Sequence, residues 1–392
     1  MFAQQGQDED RAVARALTTH HSRATARALR PIRAVLAATA VAATALVALT
    51  ATTAGTAASA ATVQPPKVLT GLTWHPLTLI NGWQSEQGTD NSGDPSWAVK
   101  NGIVYLSGSM HQPGGGVNNE PAMLPVAARP AHKQYIAVYT QGGVTGTLEI
   151  WPTGQMYIGT SNAQAYTSLA GLSFPAATTA VHTLGLLNGW TPGTLSNGDP
   201  AYTVTGGVVH LTGAVHQPIS GTNDEFAVLP ATARPAHTLY LNVSTLANTT
   251  GVLKIFPDGV MQAYQGYAQG LTSLGGVSFP AATTATQPLS LLNGWQSSQS
   301  AYGTGDPAYT VTGAVVYLSG SMKQPSSGST EFAVLPAVAR PTHNLWITTY
   351  TYNGAAGALE IMPSGVMTAF NYTCSAAQSY TSLAAISYPV GS

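Results

Sequence analysis

The chain is expected to be all-β, built from three tandem antiparallel β-sandwich or jelly-roll-like domains. Two observations predict this. One module is written three times, opening at Ile80-Asn81-Gly82-Trp83, Leu187-Asn188-Gly189-Trp190 and Leu292-Asn293-Gly294-Trp295, with offsets of 107 and 105 residues. A period of that length is a whole domain, far longer than a solenoid unit. Each copy also breaks into short β-rich runs with turn residues about every 8–12 positions, the pattern of a sandwich or jelly roll. No stretch after Ala60 carries a 3.6-residue period. The repeats are placed at 77–178, 182–284 and 287–392, behind a leader at 1–60 and a linker at 61–76.

Repeat 1 shows the elements in order. An apolar run, Leu77 to Ile80, precedes Asn-Gly-Trp, and a Ser/Gly/Asp loop runs from Ser85 to Pro95. Trp97 to Lys100 and Ile103 to Leu106 flank Asn101-Gly102, the strongest signal for a type I′ hairpin. The sister turns are Gly206-Gly207 and Gly313-Ala314; the latter suits a turn needing positive φ at its first central residue. Next comes an apolar run, Pro121 to Leu124, matched by Phe226 to Leu229 and Phe332 to Leu335 and ended by Pro125, Pro230 and Pro336. Tyr135 to Tyr139 is of strand length. A second hairpin turns at Pro152-Thr153-Gly154, with Pro257-Asp258-Gly259 and Pro363-Ser364-Gly365 as counterparts. The last strand is an apolar-Ser-aromatic-Pro run, Leu172 to Pro175.

Composition bounds function. Residues 1–33 carry six Arg and three acids, an Ala/Val/Leu-rich run follows from Ala34 to about Ala54, and Ala58-Ser59-Ala60 offers small residues at a cleavage position. That is the layout of a secretory signal; an uncleaved anchor is the alternative. Without the leader, 14 Lys+Arg fall by six to 8 and 15 Asp+Glu fall by three to 12, a net charge of −4. So weakly acidic a chain lacks the clustered cations that nucleic acid demands. The single cysteine, Cys374, permits no intrachain disulfide, so stability must come from packing or assembly.

Repeat 2 carries a resemblance. Its order is Leu-Leu-Asn-Gly-Trp, a Gly-turn hairpin ending Val209-His-Leu-Thr-Gly213, Val228-Leu-Pro…Arg-Pro235, a Pro-Asp-Gly hairpin and Thr272-Ser-Leu-Gly-Gly-Val-Ser-Phe279. This resembles the C-terminal receptor-binding head of bacteriophage tail fibre and baseplate proteins, in all three copies. The chain departs from that family in having three heads in tandem, no stalk and a secretory leader. Because such heads are trimeric, the resemblance implies that one chain could fold as an intramolecular pseudo-trimer. Three beads on a string is the other arrangement.

Recurrence selects the candidate site residues. Trp83, Trp190 and Trp295 are core anchors or sugar-stacking platforms. Asp94, Asp199 and Asp306, each in Gly-Asp-Pro, are turn-forming carboxylates or acceptors for calcium or sugar hydroxyls. Arg129, Arg234 and Arg340 precede Pro and suit a bidentate contact, to a recurrent carboxylate within the chain or to an acidic ligand. Glu120, Glu225 and Glu331 could pair with the Asp for glycoside hydrolysis, which requires two carboxylates. His132, His237 and His343 could gather on a threefold axis as metal ligands, or be loop residues. His111 and His216 become Lys323, which argues for a surface position.

The expected function is non-enzymatic recognition of a cell-surface or extracellular polysaccharide by a secreted protein. No cofactor, metal or nucleic-acid partner is expected, and no stable membrane insertion once the leader is cleaved. The chain would be a monomer with internal pseudo-threefold symmetry or self-associating. A structural coat protein without a small ligand and an extracellular glycan hydrolase are the alternatives.

Overall fold

The computed structural model describes residues 71–390 apart from 116–117, 160–161, 219–222, 326–327 and 371–374. The expected leader, residues 61–70 of the linker and Cys374 lie outside the described residues.

Each repeat is a sandwich of two antiparallel layers. In repeat 1 the smaller sheet has the order His75–Pro76, Ser96–Lys100, Ile103–Ser107, Ser173–Pro175. The first of these strands begins two residues ahead of the expected boundary at 77; its counterparts are His182–Thr183 and Gln287–Pro288. The larger sheet has the order Gln84–Ser85, Ser109–His111, Thr167–Ser168, Gln134–Thr140, Val144–Ile150, Met156–Ile158. Between the layers Val104 and Leu106 from one sheet meet Ile136, Val138, Leu148 and Ile150 from the other. Period-two alternation places these side chains on one face of each strand.

The Asn-Gly hairpin forms as expected, with Asn101 and Gly102 at φ 50° and 78°. Repeat 3 differs from expectation, since Ala314 as well as Gly313 has positive φ, at 67° and 59°. The expected strand at Pro121 to Leu124 forms only isolated bridges, Leu79 to Ala122 and Met123 to Gln155, whereas Glu225–Val228 and Glu331–Val334 are strands. Pro121 stands where the sister repeats have Phe226 and Phe332, at the register shift of their strands, and it has no amide N–H to offer a neighbouring strand.

The three repeats lie in one compact unit, Pro66–Ser392, and meet as a closed ring. The equivalent strands Gln134–Thr140, Leu239–Thr245 and Leu345–Tyr350 each touch the other two. Outside them the contacts run head to tail. The amide of Lys133 donates to the Ser196 carbonyl (3.0 Å), Thr238 to Gly303 (3.0 Å) and Asn344 to Asn91 (2.8 Å). Repeat 1 thus meets 2, 2 meets 3, and 3 meets 1 through the same residues. A head-to-tail contact that closes after three steps is a threefold ring, so the chain is an intramolecular pseudo-trimer. The cores are shared accordingly, with Ala384 of repeat 3 in the core of repeat 2 and Ala170 of repeat 1 in that of repeat 3.

Candidate functional site

The Asn-Gly-Trp turn is an exposed turn that clasps a buried tryptophan. Asn81 and Gly82 take positive φ (55° and 79°) and swing Trp83 inward, where it is 4% exposed. The indole Nε1 donates to the Asn118 carbonyl at 2.8 Å. Asn81 Nδ2 donates to the Glu120 carbonyl at 2.9 Å, and Gln112 Nε2 donates to the Asn81 carbonyl at 2.7 Å. Repeats 2 and 3 repeat the clasp: Trp190 (3% exposed) donates to Asn223 and Trp295 (4%) to Ser329. The stacking-platform reading of Trp83, Trp190 and Trp295 is therefore corrected. Their faces pack in the core and their one polar atom is already satisfied.

The arginines are structural as well. Nε of Arg129, Arg234 and Arg340 donates to the carbonyls of Leu124, Leu229 and Leu335 at 3.1, 3.0 and 3.0 Å. Each side chain also lies against the glycine of the neighbouring Pro-x-Gly turn. Among the described residues the ion pairs are His111 with Glu86 and Lys133 with Glu149 (2.6 Å), so no carboxylate meets these arginines. The expected internal bridge to Glu or Asp is replaced by a cap on a backbone carbonyl.

The Gly-Asp-Pro loops sit where repeats join. The ring of His132 packs on Gly198, that of His237 on Gly305 and that of His343 on Gly93, leaving no room for a Cβ at any of the three. These histidines are thus parted among three joints and do not gather on the axis. Among the described residues no three His, Cys, Asp or Glu side chains group to hold a metal ion.

Each joint opens into a crevice. The one between repeats 1 and 2 is about 300 Å³ and holds His132, Thr179, Asp199 and Thr212. Between repeats 2 and 3 it is about 500 Å³, with His237, Thr284, Gln299 and Asp306. Between repeats 3 and 1 it is about 270 Å³, with Trp74, Gln87, Asp94 and His343. One exposed aspartate lines each, while Glu120, Glu225 and Glu331 line none.

The aspartates are not equally engaged. Asp94 accepts from Ser85 Oγ at 2.7 Å, and the Gln87 amide, turned to donate, reaches both its oxygens at 3.0 and 2.8 Å. Gln299 holds both oxygens of Asp306 at 2.9 Å in the same way. Repeat 2 has no counterpart of the short helices Gln87–Asp90 and Gln299–Tyr302 that carry these glutamines. Trp190 to Asp199 spans nine positions where Trp83 to Asp94 and Trp295 to Asp306 span eleven. The Asp199 carboxylate accepts no hydrogen bond among the described residues. It is presented to the crevice ready to accept.

Sequence recurrence found the Asp and His of these crevices but could not join them, because each pair comes from different repeats. It missed Thr179, Thr212 and Thr284, ordinary residues whose placement depends on the joint. Comparison with protein-family models, with curated proteins and with solved structures finds no match to this chain.

Proposed function

We propose that the protein is a secreted, non-enzymatic recognition protein whose inter-repeat crevices bind a surface polymer of carbohydrate type. The observation that carries this reading is the crevice itself. It recurs at all three joints, with an exposed carboxylate and a histidine ring on otherwise neutral walls. Carboxylates and hydroxyls accept from and donate to sugar hydroxyls, and sparse charge suits a neutral polymer. A repeating ligand engaged at several joints also gains avidity from their fixed spacing. One carboxylate per crevice gives no pair of the kind that acid–base hydrolysis uses. Kinship with phage receptor-binding heads belongs to this reading, supported by the motif order and by the threefold ring. Secretion is supported by the leader sequence.

The test is a glycan array probed with the mature chain and with an Asp94→Asn, Asp199→Asn, Asp306→Asn triple variant. Selective binding weakened about tenfold or more in a variant that melts like the parent supports the reading, since each lost charge-assisted bond is worth about 1.5–3 kcal/mol. Binding that ignores the substitutions, or no binding to any glycan, refutes it. A second reading, self-assembly into a coat, is favoured by exposed apolar residues repeated around the ring: Met123 (51% exposed), Val228 (42%) and Val334 (43%). It predicts concentration-dependent sedimentation of the unliganded chain.

A further inference from the structure

The three joints share a backbone but not an aromatic content. Between repeats 1 and 2, Tyr135 packs on Ala214 and Leu271. Between repeats 3 and 1, Trp346 lies 5.4 Å from Tyr139, which meets Tyr166 edge-on at 5.8 Å. Between repeats 2 and 3 the corresponding positions hold Tyr240, Tyr350 and Tyr380, and the short helix Gln299–Tyr302 adds Tyr302. Tyr302 meets Tyr380 at 4.6 Å and 65°, Tyr240 meets Tyr380 at 6.1 Å and 75°, and Tyr350 meets Tyr380 at 5.7 Å and 87°. Edge-to-face packing of this kind shows both ring faces and ring edges to the space beside it. The turn Tyr352–Gly354, with Asn353 at φ 58°, completes the wall. The result is a recess of about 250 Å³ lined by Tyr240, Tyr302, Tyr350, Tyr352, Asn353 and Tyr380 alone.

Closing a joint does not require this cluster, because Leu271 and Ala214 close another joint of the same ring. What the recess offers is chemistry: aromatic faces, phenolic hydroxyls and one amide, with no charged side chain on its walls. A cation is disfavoured, because the Lys254 ammonium already lies 5.0 Å from the Tyr240 ring centroid. An anion finds no cation among the lining residues. A neutral ring with apolar C–H faces and equatorial hydroxyls meets both kinds of group at once. The space is smaller than the roughly 300–1,000 Å³ that holds drug-sized ligands, which fits a single sugar ring. A phenol keeps its hydrogen at neutral pH, and burial raises Tyr302 and Tyr350 further still, so both hydroxyls can donate.

We infer that this recess is a subsite for one neutral pyranose residue, present once per chain, at the joint of repeats 2 and 3. The inference rests on the carbohydrate reading and adds to it a site that the other two joints lack.

The test is isothermal titration of the full chain with methyl α-D-glucopyranoside, methyl α-D-mannopyranoside, methyl β-D-galactopyranoside and N-acetylglucosamine. The variants are Tyr352→Ala, Tyr302→Ala and Tyr302→Phe. Leu246→Ala, at the matching turn of repeat 2, is the control. Tyr352 is 44% exposed, so its truncation leaves the core intact. The expected result is one site per chain, affinity about fivefold weaker in either Ala variant and retained in Tyr302→Phe and Leu246→Ala. Binding unchanged in both Ala variants, or three sites per chain, overturns the subsite and leaves the polymer reading standing. A chain that binds array polysaccharides but none of the four monosaccharides does the same. A chain that binds neither overturns both.

Discussion

A methyl group placed at Gly259 or Gly365 tests the geometry of the arginine-capped turn directly. Gly259 has φ 92°, and a Cβ there would stand 2.5 Å from the Leu229 carbonyl oxygen and 2.9 Å from Arg234 Nε. Gly365, at φ 90°, would bring Cβ to 2.6 Å from Leu335 O and 2.7 Å from Arg340 Nε. Real Cβ atoms keep at least 3.0 Å, so the carbonyl must retreat by 3.0 less 2.5, or 0.5 Å. It is not free to do so: the Leu229 amide donates to the Gly259 carbonyl at 2.9 Å, and its own oxygen receives Arg234 Nε at 3.0 Å. The positive φ costs an alanine about 1–2 kcal/mol. Forced overpacking adds about 1–3 kcal/mol. The stiffer unfolded chain returns about 0.4–1 kcal/mol. The net loss for Gly259→Ala is about 3 kcal/mol, and Gly365→Ala should match it because the two turns match. Urea unfolding followed by tryptophan fluorescence reads this as a midpoint about 1 M lower, taking a slope of about 3 kcal/mol/M. A drop below about 0.2 M would refute the reasoning, and unequal drops would refute the energetic equivalence of the turns.

Three further outcomes are expected. Trp190→Phe leaves the Asn223 carbonyl without its donor and should cost about 1–3 kcal/mol while glycan binding of the folded protein stays unchanged; lost binding in a folded variant would return Trp190 to the site. His210 is 1% exposed, and burial lowers its pKa to about 4 from 6.5. A depressed folded pKa means that its stabilisation is present above pH 6.5 and is lost as pH falls towards 4. That loss is about 3 kcal/mol, and His210→Phe should flatten the pH 7-to-4 stability profile by that amount; an unflattened profile places the acid sensitivity elsewhere. Arg234→Met removes the bond to the Leu229 carbonyl and should cost about 1–2 kcal/mol in thermal unfolding with the ligand profile intact; altered ligand selectivity would reopen Arg234 as a contact residue.

Much of each repeat was legible because backbone demands select residue types. Positive φ at two adjacent turn positions explains Asn101-Gly102 and Gly206-Gly207, and alternation explains the strands around them. Ala314 escaped the expectation because a single alanine can be held at φ 67° by its surroundings, where it is 1% exposed. The arginines were misjudged because their partner is a carbonyl, which no sequence position announces. The crevices were illegible for a different reason. His132 and Asp199 are neighbours only because repeat 1 docks on repeat 2, and periodicity says nothing about which surfaces dock. The different state of Asp199 was visible in principle, since Thr194 follows Trp190 by four positions where Gln87 and Gln299 follow Trp83 and Trp295.

The ring also explains what covalent linkage makes available. Three separate identical chains would pay for association at every dilution, whereas tandem repeats make the same contacts intramolecular and independent of concentration. That matters for a chain with one cysteine and few charges, whose cohesion rests on shared cores such as Ala384 within repeat 2 and Ala170 within repeat 3. Identity among copies is then no longer required. The position filled by Tyr166 in repeat 1 is Leu271 in repeat 2 and Tyr380 in repeat 3, and each choice alters one joint without touching the others. A homotrimer would repeat a tyrosine recess at every joint or have none. A chain that carries its three copies in series can keep closure at all three joints and build the recess at one, and the distribution of Tyr240, Tyr302, Tyr350 and Tyr380 follows that division.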